Sequence, residues 1–398
     1  MDTITRRRFL VASGVTAAAA GTLGLREILA TAGDRDPAAK TLVLVTLYGG
    51  NDGLNTVIPY EDPAYAAARP DFAYRPEELL DLGAGEALNP GLPGLHKLFG
   101  EGRLAIIRGV GYPKPNRSHF QSMDIWQTAQ PDRPGTTGWL GRWLDTVGGD
   151  PRLAISSEPV LPPLLAGSTS AGATVPGGEL KLPAGITPDL LTKLGASAAG
   201  ESPAQARAAA CFADLARVRD LITSAPLAED DDAEAPATAT GGAAPPLDQQ
   251  LDLVARCVEA NVATRVYSVS LGGFDLHADG KDAQKALLAK LDKALSAFAE
   301  RVTGRGVVVA VYSEFGRRVK ANASDGTDHG TASPMFLVGD GIKGGLHGEP
   351  PSLTDLDDGD LKFTTDFRDV YATLLADVLD SDPARILDGW SGRLELSA

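Results

Sequence analysis

Seven side chains in this sequence have the chemistry to hold a cation: Asp52, Asp275, His277, Glu314, Asp328, His329 and His347. Each stands at the end of an apolar run or in the turn just beyond it. Of the five histidines, His119, His277, His329 and His347 fall in such turns, and only His96 does not. Mixed carboxylate and imidazole ligands suit zinc, manganese or iron, whereas an all-oxygen cage suits calcium or magnesium. The expected cofactor is therefore a divalent metal, with zinc or manganese ahead of calcium or magnesium. Seven candidates exceed the needs of one four-coordinate ion. Two ions are expected, which together clamp an oxyanion and activate water or a hydroxyl.

The spacing within each turn carries part of the argument. In Gly272-Gly273-Phe274-Asp275-Leu276-His277, Asp275 and His277 alternate with Leu276, so both can point the same way from an extended segment. In Gly49-Gly50-Asn51-Asp52-Gly53, the glycines permit close backbone approach, although an ordinary Asn-Asp-Gly turn reads the same. Asn116-Arg117-Ser118-His119-Phe120 opens a helical pattern, with Asn116 as the expected N-cap and Ser118 and His119 in the first turn. Free backbone N–H groups there favour an anion. Ser118 can act as a nucleophile where a metal or base lowers the cost of losing its proton; otherwise it is a capping hydroxyl. Arg117 or Arg317 could contact the anion's oxygens. His96, between Leu95 and Leu98, reads as structural.

The elements that must position these groups centre on residues 306–347. Val307 to Val311 is an unbroken apolar, β-rich run suited to a strand buried on both faces. It delivers Glu314 at its carboxyl end, where open α/β sheets bind ligands. Asp328 and His329 follow in a polar loop, Met335–Val338 returns as a strand, and His347 comes after a glycine pair. Further strands are expected at 41–50, 103–110, 153–156 and 265–271. Helical pieces are expected at 76–82, 92–99, 204–221 and 251–262. A long amphipathic helix carries Leu287, Leu291, Leu295, Phe298 and Val302 on one face. The pattern specifies an α/β protein, either one large domain with insertions or two domains.

The first 32 residues read as a leader: Arg6-Arg7-Arg8-Phe9-Leu10 is a twin-arginine pattern, and Ala30-Thr31-Ala32 offers a small-residue cleavage site. The apolar stretch between them falls short of the ~20 residues of a stable membrane span. Export through the twin-arginine translocation machinery to the periplasm or beyond is expected, with membrane contact only through the leader. Without residues 1–32 the chain carries 33 Lys and Arg against 50 Asp and Glu, a net charge of −17. Such acidity excludes nucleic acid and anionic membranes as partners. A mobile low-complexity loop is expected at about 224–246, where acidic residues, Ala and Pro show no apolar periodicity. The two cysteines, Cys211 and Cys257, read equally well as a disulfide and as two buried thiols.

Taken together, the twin-arginine leader, GGNDGLN, NRSHF, GGFDLH, SEFGR, GTDHG and GGLHG resemble the exported bacterial family catalogued as domain of unknown function 1501. The resemblance covers nearly all of the chain after the leader. That family is similar to a remote branch of the alkaline phosphatase and sulfatase superfamily. The resemblance implies a three-layer α/β sandwich with a mostly parallel central sheet and metals at the strand ends. It implies that Asp52 is the carboxylate after the first strand, Ser118 the nucleophile, and Asp275 with His277 a ligand pair. Glu314 takes a place usually held by Asp, and His329 resembles the superfamily's late histidine. Phe315 stands where a further histidine is expected, and no Cys-x-Pro-x-Arg motif of formylglycine sulfatases occurs. The implied activity is metal-dependent hydrolysis of a small anionic phosphate or related ester. The alternative is an exported binding or scaffold protein that keeps the fold with a structural ion.

Overall fold

The computed structural model describes residues 28–29, 31–36, 38–132, 135–175, 193, 196 and 244–397. The twin-arginine pattern, the expected helix at 204–221, most of the loop at 224–246 and Cys211 lie outside them. Among the described residues, fourteen strands follow one another: β1 Thr41–Leu47, β2 Val57–Ile58, β3 Leu80–Gly83, β4 Glu86–Leu88, β5 Leu104–Gly111, β6 Ala154–Ser156, β7 Ala173–Thr174, β8 Val266–Leu271, β9 Val307–Ser313, β10 Ser333–Gly339, β11 Gly345–His347, β12 Leu356–Asp357, β13 Asp360–Leu361 and β14 Thr365–Asp366. The helices used below are α1 Pro93–Gly100, α2 His119–Thr128, α3 Trp139–Thr146, α4 Leu247–Glu259, α5 Gly280–Arg301 and α6 Phe367–Asp377.

The central sheet runs in the order β11-β5-β10-β9-β1-β8-β6-β7, with β14 also paired to β5. β10 alone runs against the others, so the sheet is mostly parallel. β1, β8 and β9 are buried along their whole length, because helices cover both faces. Alternate side chains divide the core. Val43, Val45, Val309 and Val311 face α1, α4 and α5, while Leu42, Leu44, Val308 and Ala310 face α2, α3 and α6. A smaller sheet, β2-β4-β3, lies beside this three-layer body.

The register sets up everything functional. Leu47 on β1 lies opposite Leu271 on β8 and Ser313 on β9. Three adjacent strands thus end at one level, and the loops carrying Asp52, Asp275 and Glu314 leave the sheet side by side.

Two expectations need correction. Only Pro76–Glu78 is helical in the 76–82 segment, as a single 3-10 turn; residues 80–83 form β3, paired antiparallel with β4. Leu80 and Leu82 are its less exposed positions and Asp81 and Gly83 its more exposed ones, a period of two rather than 3.6. The N-cap of α2 is Ser118, not Asn116. Asn116 acts one step earlier, its Oδ1 accepting from the Ser118 amide at 2.8 Å. At the chain's start, Ile28 and Thr31 are buried, and the Gly33 amide donates to the carbonyls of Ala260 and Asn261. Residues assigned by sequence to the leader's end therefore pack on the body. No described helix is long and apolar enough to cross a membrane.

Candidate metal centre

Glycines bring the three strand ends together. The Gly49 amide donates to Glu314 Oε1 at 2.9 Å. Gly49 has φ +112°, and a Cβ there would lie 2.5 Å from the Asp275 amide nitrogen. At Gly50, with φ +68°, a Cβ would lie 2.3 Å from the Phe315 ring. Neither position has room for a side chain, nor a backbone that tolerates one. Buried Arg317 fastens the same loops. Its guanidinium donates to the carbonyls of Gly50 at 2.6 Å, Thr327 at 2.7 Å and Phe274 at 3.1 Å, and also to that of Gly49. It reaches Asp275 Oδ1 at 2.7 Å as well. The chain beyond β9 doubles back through paired backbone bonds, Arg318 N to Asp328 O and Gly330 N to Gly316 O, which return His329 to the end of β9. On the other face, Trp126 of α2 stacks on Tyr312 with centroids 5.1 Å apart, and Ser122 Oγ donates to the Glu314 carbonyl. These contacts bring the start of α2, with Ser118 and His119, to the same rim.

The convergence point is formed by His119, Asp275 and His329, whose ligand atoms all lie within 4.8 Å of one another. Tautomers follow from the outer hydrogen bonds. His329 Nδ1 donates to the Arg117 carbonyl at 2.8 Å, so the neutral ring presents a lone pair at Nε2. That nitrogen faces Asp275 Oδ1 at 3.1 Å. His119 Nδ1 donates to Glu314 Oε1 at 2.8 Å. Its Nε2 is buried without a hydrogen-bond partner, 3.5 Å from Asp275 Oδ2. Two imidazole nitrogens and a carboxylate therefore face one another, a donor set that a cation would satisfy. Without a metal ion, protons must serve. The Glu314 hydrogen bond accordingly raises the His119 pKa above its ordinary value, against the opposing effect of burial. Partial burial pushes the Asp275 carboxyl up, but the Arg317 guanidinium and His329 outweigh it and hold the carboxyl at about 2. Two imidazoles and one carboxylate, with Asp275 still 48% exposed, fit a zinc, manganese or iron site with a position open to solvent.

The remaining candidates occupy varied places. His277 adjoins the cluster, its Nε2 3.0 Å from His329 Nε2 and 2.9 Å from Asp275 Oδ1. Asp328 touches it only through His277 Nδ1 at 3.4 Å, and its carboxyl is held low first by the Asn322 amide. Glu314 is buried and serves His119: Oε1 takes His119 and the Gly49 amide, and Oε2 takes Ser313 Oγ at 2.8 Å. Asp52 is paired with the fully buried Arg69 at 2.6 Å and caps the turn at Leu54. His347 lies on the edge strand β11 and bonds the Lys343 carbonyl. Ser118 makes no side-chain capping bond. The Arg117 guanidinium is engaged by Asp358 and Asp360 rather than turned to the cluster. Phe315 forms an apolar wall, its ring 4.8 Å from that of His119 and 5.0 Å from that of His329.

His119 is the member of the cluster that sequence reasoning left without a role. The signal was present in its position directly after Ser118 and in the clustering of histidines in turns.

The fold and the cluster define an α/β protein with a cation-ready His-Asp-His group at the carboxyl ends of its strands. Over residues 107–395 the chain matches the family described as protein of unknown function (DUF1501), and it belongs to that family. Comparison with curated proteins found no match. Among solved structures, it is similar to a protein in the alkaline phosphatase superfamily from Vibrio parahaemolyticus, at 10% identity and a TM-score of 0.40, covering 99% of this chain and 78% of that one. It is also similar to the lipoteichoic acid synthase from Listeria monocytogenes, at 10% identity and a TM-score of 0.36, covering 96% and 79%.

Proposed function

We propose that this chain is a metal-dependent hydrolase of phosphate or related esters. The observation that carries the reading is the convergence of His119 Nε2, Asp275 and His329 Nε2 on an open rim beside Ser118. A divalent cation held there, zinc or manganese by the donor set, supplies polarisation of the ester and a lowered pKa for a nearby hydroxyl or water. The protein's own part is positional. Glu314 and the Arg117 carbonyl fix the two imidazole tautomers. Arg317 keeps Asp275 anionic. Ser118 lies between two residues fastened to the cluster, at the positive end of a ten-residue helix, with its hydroxyl uncommitted to capping. That placement suits the nucleophile. Ser118→Ala should retain metal and lose turnover on a panel of chromogenic phosphomono-, phosphodi- and sulfate esters. Unchanged turnover in that variant removes Ser118 from the chemistry.

One observation favours a binding protein instead: Arg117, a natural contact for an anion's oxygens, is already paired with two aspartates. Tight metal binding with no turnover on any ester in the panel would select that reading. Export by the twin-arginine route belongs to the same proposal and rests on Arg6, Arg7 and the weakly apolar segment after them. Replacing both arginines by lysine should strand the folded protein in the cytoplasm; normal export of that variant would discard the route.

A further inference from the structure

The seven candidate ligands were numerous enough for two ions, yet the structure engages three of them, Asp52, Glu314 and His347, elsewhere, and pairs His277 with Asp328 at the edge of the cluster. Asp52 has Arg69 at 2.6 Å, with both side chains buried. Glu314 accepts from three protein donors. His347 is on the edge strand, and Phe315 offers no ligand atom. Among the described residues, His119, Asp275 and His329 are the one group of three or more whose ligand atoms converge. Arg317 lies alongside, 2% exposed, with its guanidinium against five oxygens from four strand-end residues and one loop residue. A guanidinium is always charged and cannot leave.

We infer that the site is built for a single divalent cation, and that Arg317 and Arg69 supply as fixed charges what a second ion would otherwise supply to Asp275 and Asp52. The inference rests on the metal reading given above and specifies its stoichiometry. It separates the two oxygens of Asp275: Oδ1 is held by Arg317, while Oδ2 stands 3.5 Å from the unpartnered Nε2 of His119 and is left to the ion. It also gives Glu314 a positioning role, acting on the ion only through His119 Nδ1.

The test is elemental analysis of the full chain dialysed against excess zinc and, separately, manganese, followed by calorimetric titration. One equivalent per chain is expected, falling to none in Asp275→Asn. Glu314→Gln should keep one equivalent, with affinity weakened roughly ten-fold, as for other residues that orient a ligand from behind. Because the glutamine oxygen can still accept from His119 and Gly49, that variant should fold. Two equivalents in the parent, or none in Glu314→Gln, overturn the single-ion inference while leaving a metal site in place. No metal in the parent overturns the metal reading itself, and the inference with it.

Discussion

At the scale of single residues, the cluster is an electrostatic problem that a bound cation would solve. Two outer hydrogen bonds point imidazole lone pairs toward Asp275, so losing His119, Asp275 or His329 would remove one ligand from the proposed ion. Asp275→Asn and His329→Ala should each lower bound metal at least ten-fold, since an amide is a far weaker ligand than a carboxylate. His96→Ala should not, because His96 Nε2 bonds only the Asp81 carbonyl, away from the strand ends. Equal metal in all three variants would show that the cluster is not the site. The metal-free protein offers a second check. With its pKa raised chiefly by the Glu314 hydrogen bond, protonated His119 stabilises the fold fully below its unfolded pKa of about 6.5. That contribution is lost as the pH rises through the folded value. NMR titration should therefore place His119 above 6.5 in the parent and closer to it in Glu314→Gln. An unshifted His119 would remove Glu314 from its positioning role.

At the scale of elements, the rim is assembled by pieces distant in sequence. The β12–β13 hairpin carries Asp360, whose side chain is 1% exposed and faces Arg117 and Arg318. These arginines sit on the two segments that hold Ser118 and His329, so the hairpin ties α2 to the loop after β9. Asp360→Ala should cost about 1 kcal/mol, because the buried carboxylate is lost while Arg117 and Arg318, each about a third exposed, keep water and Asp358 as partners. Asp358→Ala, at the exposed tip of the same hairpin, should cost less than about 0.5 kcal/mol. Urea unfolding separates the two; similar losses would mean that the hairpin is held by something other than Asp360. None of this latch was legible in the sequence. Asp360 reads as one of several surface acids in DLDDGD, and only packing makes it buried. The misread 76–82 segment failed for a different reason: Pro76 and the two glutamates after it start a helical turn, and the strand begins only at Leu80.

At the scale of the whole molecule, the sheet was largely readable, because strands covered on both faces must be continuous apolar runs bounded by turns. β1, β5, β8, β9 and β10 fall within a few residues of expectation for that reason. Asp275 and His329 were readable as candidates for one site because their turns follow such strands. His119 was not, since its partner Glu314 lies 195 residues on and meets it only when α2 docks on β9. Nor was the neutralisation of Asp52, because Arg69 sits in an alanine-rich segment that gives no hint of burial. The proposed activity joins these scales: strand register collects the loops, buried arginines fix them, and two histidines and an aspartate are left facing one another around a place for an ion. The most direct test is the turnover of chromogenic phosphate and sulfate esters by the parent protein, before and after chelation and again after zinc or manganese is restored. Hydrolysis of at least one ester that disappears on chelation and returns with the metal is the expected result. Hydrolysis that survives complete removal of the metal would contradict the account.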